Sequence, residues 1–94
     1  MVKRDAIHRA VVDAFRDMGL SVYDSAHAGH SFPDLVVGWG GLTHLVELKT
    51  GKAPMTPGQV AFSANWRGAP VVVLRSVTEA VNWACDIRRR RVAA

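Results

Sequence analysis

Apolar and polar positions alternate along this chain with two different periods, and the change of period marks out the elements. Ile7, Val11, Ala14, Phe15 and Met18 recur at helical spacing, with Arg9, Asp13, Arg16 and Asp17 opposite, so a first helix is predicted over about 3–18 and Gly19 ends it. Leu20 to Asp24 reads as a first strand, Ser25 to Phe32 as a loop ending at Pro33, and Asp34 to Trp39 and Leu42 to Lys49 as two further strands. After a loop over 50–55, Thr56 and Pro57 form a helix start, with a capping hydroxyl and proline at the first helical position, and this second helix is predicted to run to about Arg67. Gly68-Ala69-Pro70 breaks it. Val71 to Leu74 is a short buried strand, and Ser76 with Glu79 three residues on is a capping box that opens a last helix. The order αβββαβα, a hairpin followed by a strand-helix alternation, implies an α/β fold with a four-stranded mixed sheet flanked by helices.

The register of the middle hairpin follows from Gly40-Gly41, a two-residue turn that closes a tight hairpin. Facing residue numbers then sum to 81: Asp34 faces Glu47, Val36 faces Leu45, and Gly38 faces Thr43. Side chains alternate faces along a strand, so Asp34, Glu47 and Lys49 share one face, and Leu35, Val37, Val46 and Leu48 form an apolar layer on the other. Two carboxylates facing each other repel unless something positive lies beside them. Mg²⁺, which takes oxygen ligands from one or two carboxylates together with water and substrate phosphates, meets that need, and Mn²⁺ serves in the same way. Lys49 beside such an ion is placed to orient or deprotonate an attacking water and to offset transition-state charge. The implied reaction is metal-dependent phosphodiester hydrolysis. A plainer reading remains open, since Glu-x-Lys is common on exposed strand faces and Pro-Asp often simply begins a strand.

Composition narrows the field. A chain of 94 residues with 49% hydrophobic content is expected to form a single domain over 1–94 with a core of its own. The lone Cys85 cannot make an internal disulfide and leaves no cysteine cluster for zinc. The charged start at Lys3-Arg4-Asp5 does not read as a secretion signal, and Val71 to Leu74, the longest apolar run, is too short to span a bilayer, so the expected compartment is the cytoplasm. The net charge of +4 and the pI near 10.0 suggest an anionic partner, but the four arginines at 88–91 account for the whole excess. Those arginines suit either phosphate contact, with Arg88 and Arg89 the candidates, or a solvated helix end facing the negative pole of the helix dipole.

The segments Ser31-Phe32-Pro33-Asp34-Leu35-Val36-Val37-Gly38, Leu45-Val46-Glu47-Leu48-Lys49 and Thr56-Pro57-Gly58-Gln59 resemble the PD-(D/E)XK nuclease superfamily. Within it they are most similar to the short stand-alone form of the VRR-NUC branch, typical of bacteriophages and their hosts, which implies the cytoplasm of a bacterial or phage-infected cell. The likeness extends over nearly the whole chain in segment order. It implies a restriction-endonuclease-like core, with Asp34, Glu47 and the main-chain carbonyl of Leu48 as metal ligands, Lys49 catalytic, and Gln59 reaching into the site. Family members often carry an acidic residue on the first helix that faces the metals, and here the chain departs from the pattern. His8 lies at the edge of the apolar face while Asp5 points further outward, so His8 is the expected first-helix contributor, with a partly buried His bonded to a carbonyl as the plainer alternative.

Outside this set, Lys52 is a candidate for the DNA backbone, and His27 and His30 for a phosphate at the cleft mouth. His44 is expected on the apolar face, and Trp39, Trp66 and Trp83 in the core or at a dimer contact rather than as base-stacking platforms. So short a chain has little with which to read bases, which favours an endonuclease selective for branched or junction DNA, acting as a homodimer. The alternatives are a catalytically silent nucleic-acid-binding module on the same fold and a DNA exonuclease.

Overall fold

A computed structural model describes residues 3–90, and side chains from residue 6 onward. The elements are α1 (Lys3–Asp17), β1 (Ser21–Asp24), β2 (Leu35–Trp39), β3 (Leu42–Leu48), α2 (Pro57–Asn65), β4 (Val72–Leu74) and α3 (Val77–Arg89). All seven expected elements are present in the expected order, with ends shifted by a residue or two. One four-stranded sheet has the order β1-β2-β3-β4, antiparallel except for the parallel pair β3-β4.

Local chemistry accounts for the boundaries. Gly19, at φ +89°, donates to Arg16 O, and Leu20 N–H donates to Phe15 O. This is a Schellman closure whose flanking apolar pair, Phe15 and Leu20, is buried. Gly40 and Gly41 adopt φ +61° and +81°, the two positive values that a type I′ hairpin turn requires. The pairing Leu35↔Val46, Val36↔Leu45 and Gly38↔Thr43 is the register expected from that turn. At α3, Ser76 Oγ accepts the Glu79 amide at 3.0 Å, but the Glu79 carboxylate reaches past the cap to the Arg75 amide at 2.8 Å. The reciprocal half of the expected capping box is therefore displaced by one residue.

The core lies on one face of the sheet. Val11, Val12 and Phe15 of α1 and Ala80, Ala84 and Ile87 of α3 close over Leu35, Val37, Val46, Leu48 and Leu74. His44 belongs to this side, as expected, with its ring edge-on to Trp83 at 5.3 Å. Burial pushes the His44 imidazole below its ordinary value, and the nearby Arg90 charge acts in the same direction. Trp39 and Trp83 pack against the core, whereas Trp66 is 42% exposed. None of the described helices is long and apolar enough to cross a membrane.

Candidate functional site

The other face of the sheet holds two acidic side chains almost entirely out of water: Glu47, 2% exposed, and Asp34, 5% exposed. Both come from the end of the β2-β3 hairpin opposite its turn. Asp34 immediately precedes β2, and carrying the hairpin register one residue further sets it against Glu47 on β3. Lys49, two residues beyond Glu47 and hence on the same face, is half-buried, and its amide donates to Leu74 O on β4 at 3.0 Å.

Pro33 shapes this end of the hairpin. One more step of the register brings Pro33 opposite Leu48, where a ladder partner would ordinarily exchange two hydrogen bonds. Proline has no N–H to give, so position 33 cannot satisfy the Leu48 carbonyl. The Leu48 amide donates instead to Asp34 Oδ2 at 2.8 Å. In extended backbone the N–H and C=O of one residue point to the same side of the strand, so the Leu48 carbonyl projects toward the side where Asp34 sits. Pro33 is itself fixed from behind, because its carbonyl accepts from Ser25 Oγ at 2.8 Å and the Ser25 amide donates to Asp34 O at 2.8 Å.

Helix α2 completes the site through its capping box. Thr56 Oγ1 accepts the Gln59 amide at 3.1 Å, and Gln59 Oε1 accepts the Thr56 amide at 2.9 Å. With its oxygen committed to the cap, the side-chain amide of Gln59 presents its NH₂ outward, where it donates to Glu47 Oε2 at 2.9 Å. The approach is close at Gly58, where an added Cβ would crowd Ser31 Oγ and force that hydroxyl to turn away. Ser31 and His30 both sit at positive φ, +62° and +56°, so the loop that brings Ser31 under α2 is held in a backbone conformation that non-glycine residues rarely adopt.

The donor set is all oxygen: two buried carboxylates, each with an N–H donor, and a main-chain carbonyl beside them. That set fits a hard divalent cation, which keeps several waters and needs few protein ligands. Among the described residues, no group of three or more His, Cys, Asp or Glu side chains is arranged to hold a metal. His8 in particular does not join Asp34 and Glu47 in such a group. Its Nε2 donates to Asp24 Oδ2 at 2.9 Å, on the α1 side of the sheet. Burial acts to raise the Asp24 carboxyl, but hydrogen bonds from the Ala26 amide and the His8 ring, with the His8 and His27 charges, outweigh it and hold the group below the ordinary aspartate value. The Asp5 side chain lies outside the described residues.

The peripheral candidates are dispersed. His27 and His30 are exposed in the loop before Pro33. Lys52 is exposed in a loop that Arg75, to which the sequence assigned no role, pins by donating from Nη1 to Gly51 O at 3.0 Å and Ala53 O at 2.6 Å. The arginine tail is at the far end of the sheet. Arg88 stands 5.7 Å over the Trp39 ring, and Trp39 ends β2 roughly 16 Å along the strand from Asp34. Arg89 is paired with Asp86 at 2.7 Å, and Arg91 lies outside the described residues.

Comparison of the chain with protein-family models, with curated proteins and with solved structures finds no match.

Proposed function

We propose that this chain is a Mg²⁺- or Mn²⁺-dependent DNA endonuclease of the PD-(D/E)XK kind, similar to the VRR-NUC branch, that hydrolyses phosphodiester bonds with a preference for branched or junction DNA. The observation that carries the reading is the convergence of two nearly inaccessible carboxylates, Asp34 and Glu47, at the proline-terminated end of a hairpin, with Lys49 on the same face. Burying two carboxylates together is costly, and a divalent cation held between them offsets that cost.

The carboxylates of Asp34 and Glu47 and the Leu48 carbonyl would hold the ion, which supplies Lewis-acid polarisation of the phosphoryl group and a lowered pKa for water when bound. The Leu48 N–H fixes the Asp34 carboxylate, and Gln59 fixes Glu47, so neither has to reorganise when substrate arrives. Lys49 orients the attacking water and offsets negative charge on the phosphate as it becomes five-coordinate. Water oxygen bonds to phosphorus, the P–O bond to the leaving nucleotide breaks, and the water proton ends on the departing oxygen. A homodimer with two such sites would cut both strands of a branched substrate.

Closed circular DNA tests the reading against its rivals. An endonuclease opens the circle in Mg²⁺ and leaves it intact in EDTA. An exonuclease degrades only the linear form, and a silent binding module retards both forms without cutting either.

A further inference from the structure

Helix α2 is an unusual surface helix: none of its residues is buried, and Pro57–Asn65 carries no charged side chain. Gln59, Phe62 and the capping residue Trp66 fall at spacings of three and four, on one face of the helix. That face begins at Glu47, where the Gln59 amide docks, and runs outward along an aromatic line. Phe32, two residues before Asp34, meets Phe62 edge-on at 5.5 Å, and Phe62 stacks on Trp66 at 5.4 Å with an interplanar angle of 15°. Trp66 is held in place at its other flank too, since a Cβ on Gly68 would crowd its Nε1, yet the indole stays 42% exposed. Trp66 lies roughly 10 Å along the helix axis from Gln59. The chain from Leu48 to Thr78, which contains α2, has no acidic residue and four basic ones, Lys49, Lys52, Arg67 and Arg75, while the acidic pair of the site stands at the inner end of the line.

We propose that Phe62 and Trp66 form a stacking platform for the bases of unpaired DNA entering the Asp34–Glu47 site. The exposed Trp66 indole, backed by the half-buried Phe62 ring stacked on it, takes the face of any base with little loss of side-chain entropy, and the basic residues of this segment suit the phosphate backbone that accompanies it. This assigns Trp66 a role different from the core or dimer contact expected from the sequence. It also gives the proposed endonuclease its selectivity without base reading: the substrate must offer single-stranded nucleotides beside the cut, as flaps and branch points do. A second copy of this chain is a poorer occupant, because a two-fold contact there would bring Arg67, next to Trp66, of one copy toward that of the other.

The platform rests on the nuclease reading for its purpose but is tested without cleavage, by anisotropy of labelled oligo(dT) and of a matched duplex in EDTA. Trp66→Leu and Phe62→Leu are expected to weaken oligo(dT) binding by roughly 5- to 100-fold while changing duplex affinity less than about two-fold, and Trp66→Phe to retain most of the single-strand affinity. Circular dichroism and melting of each variant establish that it is folded. Folded Trp66→Leu protein that binds oligo(dT) as the wild type does, an equal loss for both DNA forms, wild type that does not bind oligo(dT), or a change only in self-association each overturns the platform. The two readings fail separately: wild type that never cuts but loses oligo(dT) binding on Trp66→Leu keeps the platform and removes the chemistry, and the reverse pattern removes the platform alone.

Discussion

Gln59 donates to Glu47 Oε2 at 2.9 Å from an amide whose orientation is set by the capping box of its own helix. One side chain thus closes the N-terminus of α2 and positions a buried carboxylate, and the two roles can be separated. Gln59→Glu keeps an acceptor for the Thr56 amide but turns the donor toward Glu47 into a second carboxylate. It is expected to lower cleavage by at least roughly 10-fold, from the lost hydrogen bond, and to cost stability through repulsion with the buried Glu47, a cost that added Mg²⁺ should reduce. Gln59→Ala should lose stability as well as activity. Melting curves and cleavage rates on the same samples check both.

Gly58 tests how α2 is seated. Gly→Ala in the middle of a helix ordinarily stabilises by about 0.5–1 kcal/mol, which sets an upper limit for Gly58, the second residue of α2. At this position the added methyl meets Ser31 Oγ, so Gly58→Ala should bring no gain and should lower cleavage by displacing Gln59. Gly58→Ala combined with Ser31→Ala removes the clash and should recover the stability. Equal effects of Gly58→Ala in the two backgrounds, measured by denaturant unfolding, would show that the approach is not tight.

His44 links stability to pH. Burial holds its folded-state value below the ordinary 6.5. The unfolded chain therefore binds the proton more readily, and stability falls as pH drops through 6.5 toward the folded value, whereas above 6.5 the group contributes no pH dependence. His44→Phe keeps a ring against Trp83 and removes the titration. The difference in melting temperature between wild type and His44→Phe should grow in favour of the variant between about pH 7 and pH 5. A difference that is flat across this range would contradict the assignment.

Pro33 leaves the Leu48 carbonyl without a ladder donor, and Pro33→Ala supplies one. The substitution is expected to weaken ion binding, read as a smaller rise in melting temperature on adding Mg²⁺ or Mn²⁺, with the sheet intact by circular dichroism. Wild type should show that rise and lose it with EDTA, and Glu47→Ala should show none. A full wild-type rise in Pro33→Ala would mean that the carbonyl is not a ligand.

The hairpin was readable in advance because its determinants are local. Two glycines fix the turn, the turn fixes the register, and the register sends Leu35, Val37, Val46 and Leu48 to the core and Asp34 and Glu47 to the opposite face. Contacts between distant segments were not readable in the same way. The His8–Asp24 bond depends on how β1 meets α1, and Asp24 ends a strand followed by a loop with two non-glycine residues at positive φ, which no periodicity announces. That α2 would have no fully buried residue and carry its aromatics in a line out of the site depends on how it sits against the loop before β2, through Gln59 on Glu47 and Phe62 on Phe32. The arginine tail stood out by charge alone, and charge says nothing of distance: α3 takes Arg88 to Trp39, at the other end of the strand from Asp34.

The most direct test of the central claim is cleavage of labelled branched and plain duplex DNA by wild type, Glu47→Ala and Lys49→Ala in Mg²⁺, Mn²⁺ and EDTA, with DNA binding measured alongside. Wild type should cut the branched substrate faster, only with metal, and both variants should bind DNA without cutting it. Cleavage by folded Glu47→Ala at the wild-type rate, or folded wild type that binds DNA and cuts nothing in either metal, would contradict the account.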